Sequence, residues 1–151
     1  MKPNASKQVA KVTPESGYQL EEQVGFILRQ ASQRHAAIFA TRIPEQLTTT
    51  QFATLVRLQE VGPCSQNQLG RLTAMDAATI KGVTDRLIQR GFVEAKVDPE
   101  DGRRRMLVLT SQGLDVVARA IPAGLDISAE TLEPLTADEQ AQFMTLLRKL
   151  R

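Results

Sequence analysis

The sequence predicts a mainly α-helical fold carrying one small β-hairpin (α+β), and three observations predict it. Apolar residues recur at helical spacing through most of the 151 residues. The period switches to two only over Phe92–Val97 and Met106–Leu109, on either side of the polar run Asp98–Arg105. Just before that switch stand two short amphipathic segments separated by Thr73-Ala74-Met75, a spacer short enough for a sharp corner. Helix, turn, helix and hairpin in this order are the pattern of a winged helix-turn-helix.

Residues 1–17 are polar with Pro3, Pro14 and Gly17, and are expected to form a flexible N-terminal tail. Residues 18–45 hold a long helix from Gln19 to Arg42 that Pro44 ends. Its stripe is Leu20, Val24, Ile27, Leu28, Ala31, Ile38 and Phe39, with His35 near the middle. Residues 46–110 form the reading head. Its first helix starts at the capping-box pattern Thr48-x-x-Gln51 and runs through Phe52, Leu55, Val56 and Leu58 to Gly62-Pro63. Ser65-x-x-Gln68 opens the next, Gln66 to Leu72. Asp76 then caps a helix whose Ile80, Val83 and Leu87 face inward, with Gly91 as the left-handed residue that stops it. Residues 111–151 hold two more helices. Thr110 or Ser111 caps one carrying Leu114, Val117, Ile121 and Leu125, which Pro122 is expected to bend or divide. Thr136-x-x-Glu139 opens the last, with Phe143, Leu146, Leu147 and Leu150.

Charge alone does not reveal a nucleic-acid binder. The formal net charge is +2, and Ser65 to Arg105 holds eight Lys/Arg against six Asp/Glu. Placement is more informative. Thr79, Lys81 and Arg86 fall on the free faces of the second helix of the pair, while Ser65 and Gln66 sit at the start of the first, where side chains and backbone N–H groups can meet phosphate. Arg103, Arg104 and Arg105 crowd the hairpin tip, a shape suited to the electronegative minor groove. Asp98 and Asp101 are expected to pair with those arginines and fix the loop. The bland alternatives are an ordinary exposed helix face and a solvated charged loop.

Asp98-Pro99-x-Asp101-x-Arg103 followed by Val108-x-Thr110, behind Thr79-x-x-x-Val83-x-Asp85-Arg86-Leu87-x-x-x-Gly91, resembles the MarR family of bacterial transcription regulators over about residues 20 to 150. The resemblance implies a helix with Thr79 and Arg86 in the major groove, and a wing in which Asp101 orients Arg103 into the minor groove. Gly82 and Gly102 stand where members often carry basic residues. The resemblance, together with the apolar stripes of the N- and C-terminal helices, implies an interlocked homodimer. Two reading heads on a twofold meet half-sites about 34–36 Å apart, hence a pseudo-palindromic operator in double-stranded DNA.

Family members also bind small, often aromatic and anionic effectors between the dimer helices and the reading head. His35, Phe39 and Arg42 are the candidate contacts here, with a packing histidine bonded to a backbone carbonyl as the alternative for His35. Gly25-Phe26-Ile27-Leu28-Arg29-Gln30 further resembles regulators of aromatic-acid breakdown, including those that sense hydroxynicotinate. Cys64, the single cysteine, sits before a helix start that can lower a thiol pKa, so a thiol-based redox regulator is a second reading. A winged-helix module that binds protein is a third. One histidine, one cysteine and no phosphate cradle or metal-ligand spacing leave nothing to which chemistry can be assigned, so neither an enzyme, a metal nor a cofactor is expected. With no apolar run long enough to cross a bilayer and no apolar segment behind Lys2, Lys7 and Lys11, a cytoplasmic protein is expected.

Overall fold

A computed structural model describes residues 17–151. The tail expected over residues 1–17 therefore lies, Gly17 apart, outside the described residues. The chain divides into two compact units, Met1–Ser32 and Gln33–Arg151. In the first, a 3-10 turn over Leu20–Glu22 precedes the helix α1, Val24–Arg42. The helix predicted from Gln19 thus starts later. Gln23 is extended, and its side-chain amide donates to the Gln19 carbonyl at 2.8 Å, which replaces a continuing helical bond with a local one. No described residue of this unit is buried, and Leu20, Val24, Ile27 and Leu28 are all exposed.

The second unit contains the rest of α1, then α2 (Thr49–Val61), α3 (Gln66–Leu72), α4 (Ala77–Gln89), the strands β1 (Val93–Val97) and β2 (Arg105–Leu109), α5 (Ser111–Leu132) and α6 (Ala137–Arg148). Helix starts follow their caps. Thr48 with Gln51, and Thr136 with Glu139, close full capping boxes, satisfying two otherwise orphaned donors at each start. Ser65, Asp76 and Thr110 each accept from the backbone N–H three residues on. Gly91 turns the chain out of α4 at φ 78°, a left-handed conformation that costs a glycine nothing.

The core joins Leu55 and Leu58 of α2, Leu69 of α3, Ile80, Val83 and Leu87 of α4, Val93 and Leu107 of the hairpin, and Val116, Val117, Ala120 and Ile127 of α5. A thirteen-residue helix such as α4 is marginal by itself. Burying Ile80 and Leu87 completely contributes roughly 1.5–3 kcal/mol each, so packing holds it in place. The hairpin pairs Val93 with Leu109 through to Val97 with Arg105. Arg105, expected at the tip, is therefore a strand residue, and the tip proper is Asp98–Arg104. Cys64 adds a bridge to the far side of β2, exchanging backbone bonds with Leu107 at 2.8 and 3.3 Å. A lone bridging residue has no periodicity, which is why the sequence did not announce it.

Pro122 does not divide α5, which runs unbroken over 22 residues. Its predicted stripe does divide: Val117 faces the core while Leu114, Ile121 and Leu125 are exposed, as are Phe143, Leu146 and Leu147 of α6 and Leu150 just beyond it. Among the described residues, no helix is long and apolar enough to cross a membrane.

Candidate nucleic-acid interface and ligand cavity

α3 and α4 are locked at a fixed angle by contacts that leave the outer face of α4 free. Gly70 brings α3 within a methyl group of its neighbour, since a Cβ there would lie 3.1 Å from the Ile80 side chain and 3.2 Å from the Met75 carbonyl. Thr84 is buried, its hydroxyl within hydrogen-bond distance of the Ile80 and Lys81 carbonyls of its own helix, at 2.9 and 3.0 Å, and of the Gln66 side-chain amide, at 3.1 Å. Asp76 caps α4, and the Thr79 N–H donating to it at 2.7 Å holds its carboxyl below the usual carboxylate range. Thr79, Lys81 and Arg86 are exposed on this rigid base. Lys81 is paired with Asp85 at 2.6 Å, an exposed ion pair of small worth that a phosphate can displace. At the other end of the pair, Ser65 Oγ accepts from the Gln68 N–H as the α3 cap, and the Gln66 side chain is tied to Thr84.

The wing differs from expectation in one respect. Asp98 and Asp101 do not pair with guanidinium groups. Each accepts from the backbone two residues on, Asp98 from the Glu100 N–H at 2.9 Å and Asp101 from the Arg103 N–H at 3.0 Å. These are Asx-turns, which short acidic side chains form because they reach their own backbone more readily than a flexible partner. With Arg104 N–H to the Asp101 carbonyl and Asp98 N–H to the Arg104 carbonyl, they close the tip into a rigid loop. Arg103, Arg104 and Arg105 are exposed and, among the described residues, hold no carboxylate.

A second feature lies in the Gln33–Arg151 unit. A cavity of about 250 Å³, open on one side, is lined by His35, Phe39, Thr49, Phe52, Gly124, Ile127 and Ser128. Its volume falls below the roughly 300–1,000 Å³ of sites for drug-sized ligands, so it suits a single ring. Phe39 and Phe52 meet edge to face at 5.9 Å between centroids and form an aromatic wall. Phe52 can lie against α5 only because residue 124 is glycine, where a Cβ would stand 2.7 Å from its ring. His35 and Phe39, both expected contacts, are brought together. Arg42 is not in the lining, since its guanidinium is engaged by Glu130. Thr49, Phe52, Gly124, Ile127 and Ser128 were not legible as site residues, because they come from two other helices and no sequence spacing joins them. His35 bonds neither a backbone carbonyl nor solvent alone: its Nδ1 lies 2.9 Å from the Thr131 hydroxyl.

Cys64 is 1% exposed, and burial pushes its thiol pKa up. Burial works against the thiolate, the opposite of the lowering expected from the helix start that follows. Labelling by an aromatic disulfide is expected to be slow in the folded protein and rapid in denaturant. Equal rates in both would restore the redox reading.

The MarR family profile matches residues 47–104, from the end of the α1–α2 turn to the wing tip. Over 147 residues the chain is 41% identical to the HTH-type transcriptional repressor NicR of Pseudomonas putida, covering 93% of each protein. Among solved structures, a probable transcriptional regulator from Pseudomonas aeruginosa superposes with a TM-score of 0.85 at 52% identity, covering 88% of this chain and all of that one. Bordetella bronchiseptica BpsR, described in a study of how 6-hydroxynicotinic acid regulates its DNA binding, gives 0.82 at 39% identity over 88% of this chain and 96% of its own. Winged helix-turn-helix order, exposed wing arginines and relatives matched over nearly their whole length agree: the chain belongs to the MarR family of transcriptional regulators.

Proposed function

We propose that this chain is a homodimeric repressor that leaves a pseudo-palindromic operator when a small aromatic acid fills the cavity walled by His35, Phe39 and Phe52. The observation that carries the reading is that cavity: one ring wide, aromatic on one wall, and built from α1, α2 and α5. Because α2 packs on α4, an occupant of the cavity presses on the element that sets the α4 position. Likeness to NicR, a repressor, and to BpsR, whose DNA binding 6-hydroxynicotinic acid regulates, supports the same reading. A hydroxylated pyridine or benzene carboxylate is the effector class. Its ring lies among Phe39, Phe52 and Ile127, and its carboxylate stays toward water, since no lining residue carries a fixed charge.

The exposed apolar residues of α1, α5 and α6 supply the dimer surface, a second copy of the chain being the partner that buries them. Thr79, Lys81 and Arg86 read the major groove, the wing arginines enter the minor groove, and Ser65 and Gln66 set register on phosphate through the α3 start. Effector binding favours a dimer whose recognition helices miss successive major grooves, so release follows from its higher affinity for that state.

The test measures binding to the DNA just upstream of the gene's own reading frame while small aromatic acids are titrated in. Wild type is expected to release; His35→Ala is expected to hold DNA with near-normal affinity and to need about tenfold more effector, the loss of about one hydrogen bond. Release of the variant at the wild-type concentration would make His35 a packing residue.

A further inference from the structure

Thr131 is not part of the cavity wall, yet it holds the chain's one histidine. Its hydroxyl carries a single hydrogen, and the geometry decides where that hydrogen goes. Thr131 Oγ1 lies 2.7 Å from the Ile127 carbonyl oxygen one turn earlier on α5. A carbonyl only accepts, so two oxygens at that separation require the hydroxyl hydrogen between them. The 2.9 Å bond to His35 Nδ1 then runs the other way, with the imidazole donating and Thr131 accepting. In a neutral ring one nitrogen donates and the other accepts, so a proton fixed on Nδ1 leaves Nε2 as a bare acceptor. Among the described residues Nε2 has no protein partner, and the ring it belongs to lines the same cavity as Thr49 and Ser128.

We propose that Thr131 is a specificity-determining positioning residue: by fixing the proton on His35 Nδ1 it makes the cavity select rings that donate a hydrogen bond, through a hydroxyl or ring N–H, over the same rings without a donor. The selection is strong for a physical reason. A ring that fills the cavity shuts water away from Nε2, so a ligand without a donor leaves that acceptor unpaired, whereas lining hydroxyls such as those of Thr49 and Ser128 can turn to suit either case. Arg34 reinforces the arrangement, since its guanidinium donates to the carbonyls of Glu130 and Thr131 and so anchors the end of α5 against α1. The inference rests on the cavity being the effector site for its consequence, but the proton placement itself stands without any ligand.

Both parts are tested separately. With only one histidine in the chain, protein labelled with 15N-histidine gives a single pair of imidazole nitrogens, and the unprotonated one can be assigned at mildly alkaline pH. Wild type and Thr131→Ser are expected to show Nε2 unprotonated; Thr131→Val is expected to shift toward the other tautomer. Nδ1 unprotonated in the wild type overturns the proposal, whatever the variants do. For selection, 6-hydroxynicotinate and its O-methyl ether are compared by calorimetry. Wild type and Thr131→Ser are expected to prefer the hydroxylated ring, and Thr131→Val is expected to lower that preference about tenfold. An unchanged ratio overturns the selection. Neither ring binding to the wild type removes the effector reading and the selection together, while the nitrogen assignment is decided independently.

Discussion

Gly113→Ala is expected to be the most destabilising single methyl group that can be added to this chain's helices. Gly113 sits in the first turn of α5, where its N–H donates to the Thr110 cap at 3.0 Å. A Cβ at this position would lie 2.0 Å from the Phe92 carbonyl oxygen and 2.9 Å from its carbon, well inside contact distance and against backbone. No rotamer relieves that overlap. The Phe92 carbonyl is also the acceptor for the Thr110 N–H at 3.1 Å, so moving it breaks the joint between α5 and the strand that opens the wing. Alanine gains up to about 1 kcal/mol of helix propensity over glycine. Overpacking a fixed core costs about 1–3 kcal/mol and occasionally more, and here the obstacle is main chain, which places the net loss at the top of that range. Urea unfolding is expected to show a midpoint lowered accordingly with an unchanged slope. A midpoint within error of wild type would mean that α5 and β1 are not held as the structure has them.

Arg103→Ala carries the largest expected effect on DNA binding. The residue projects from a tip that Asp98 and Asp101 rigidify by accepting Glu100 and Arg103 N–H groups, so its side chain is presented with little conformational cost. If Arg103 reaches a base edge or the narrow floor of the minor groove, the loss is about 1–3 kcal/mol per wing and depends on the operator's sequence. If it meets phosphate alone, the loss is smaller, uniform across sequences, and flattens the dependence of log affinity on log salt by about 0.9 for each contact. Anisotropy titrations at several salt concentrations, on operator and on scrambled duplex, separate the two. Unchanged affinity and unchanged slope on both would take the wing out of the interface and leave the protein-binding module as the better reading.

The two effects differ in how they could have been foreseen. Three arginines behind Asp-Gly are visible in one line of sequence, because a hairpin tip is local and its charge needs no other element to be expressed. What the acids do there was not visible. Whether Asp101 reaches a guanidinium or its own backbone is a contest between two short-range partners, and the turn geometry decided it for the backbone. Gly113 reads in sequence as an unremarkable helical glycine near a cap; its necessity comes from a carbonyl 21 residues away in the chain.

Helix order, the caps at Thr48, Ser65, Asp76 and Thr136, the turn at Gly91 and the place of the hairpin were determined by the sequence alone, since each depends on neighbours within four residues or on a period of apolar residues, whereas the choice of Thr110 over Ser111 as the α5 cap was left to the structure. Tertiary structure alone decided which face of α5 goes inward, that Cys64 is buried under β2, that Arg42 turns to Glu130, and that Thr49, Phe52, Gly124, Ile127 and Ser128 close a cavity around His35. Burial and cavity shape are sums over elements distant in the chain, and such sums leave no mark on any single stretch of it.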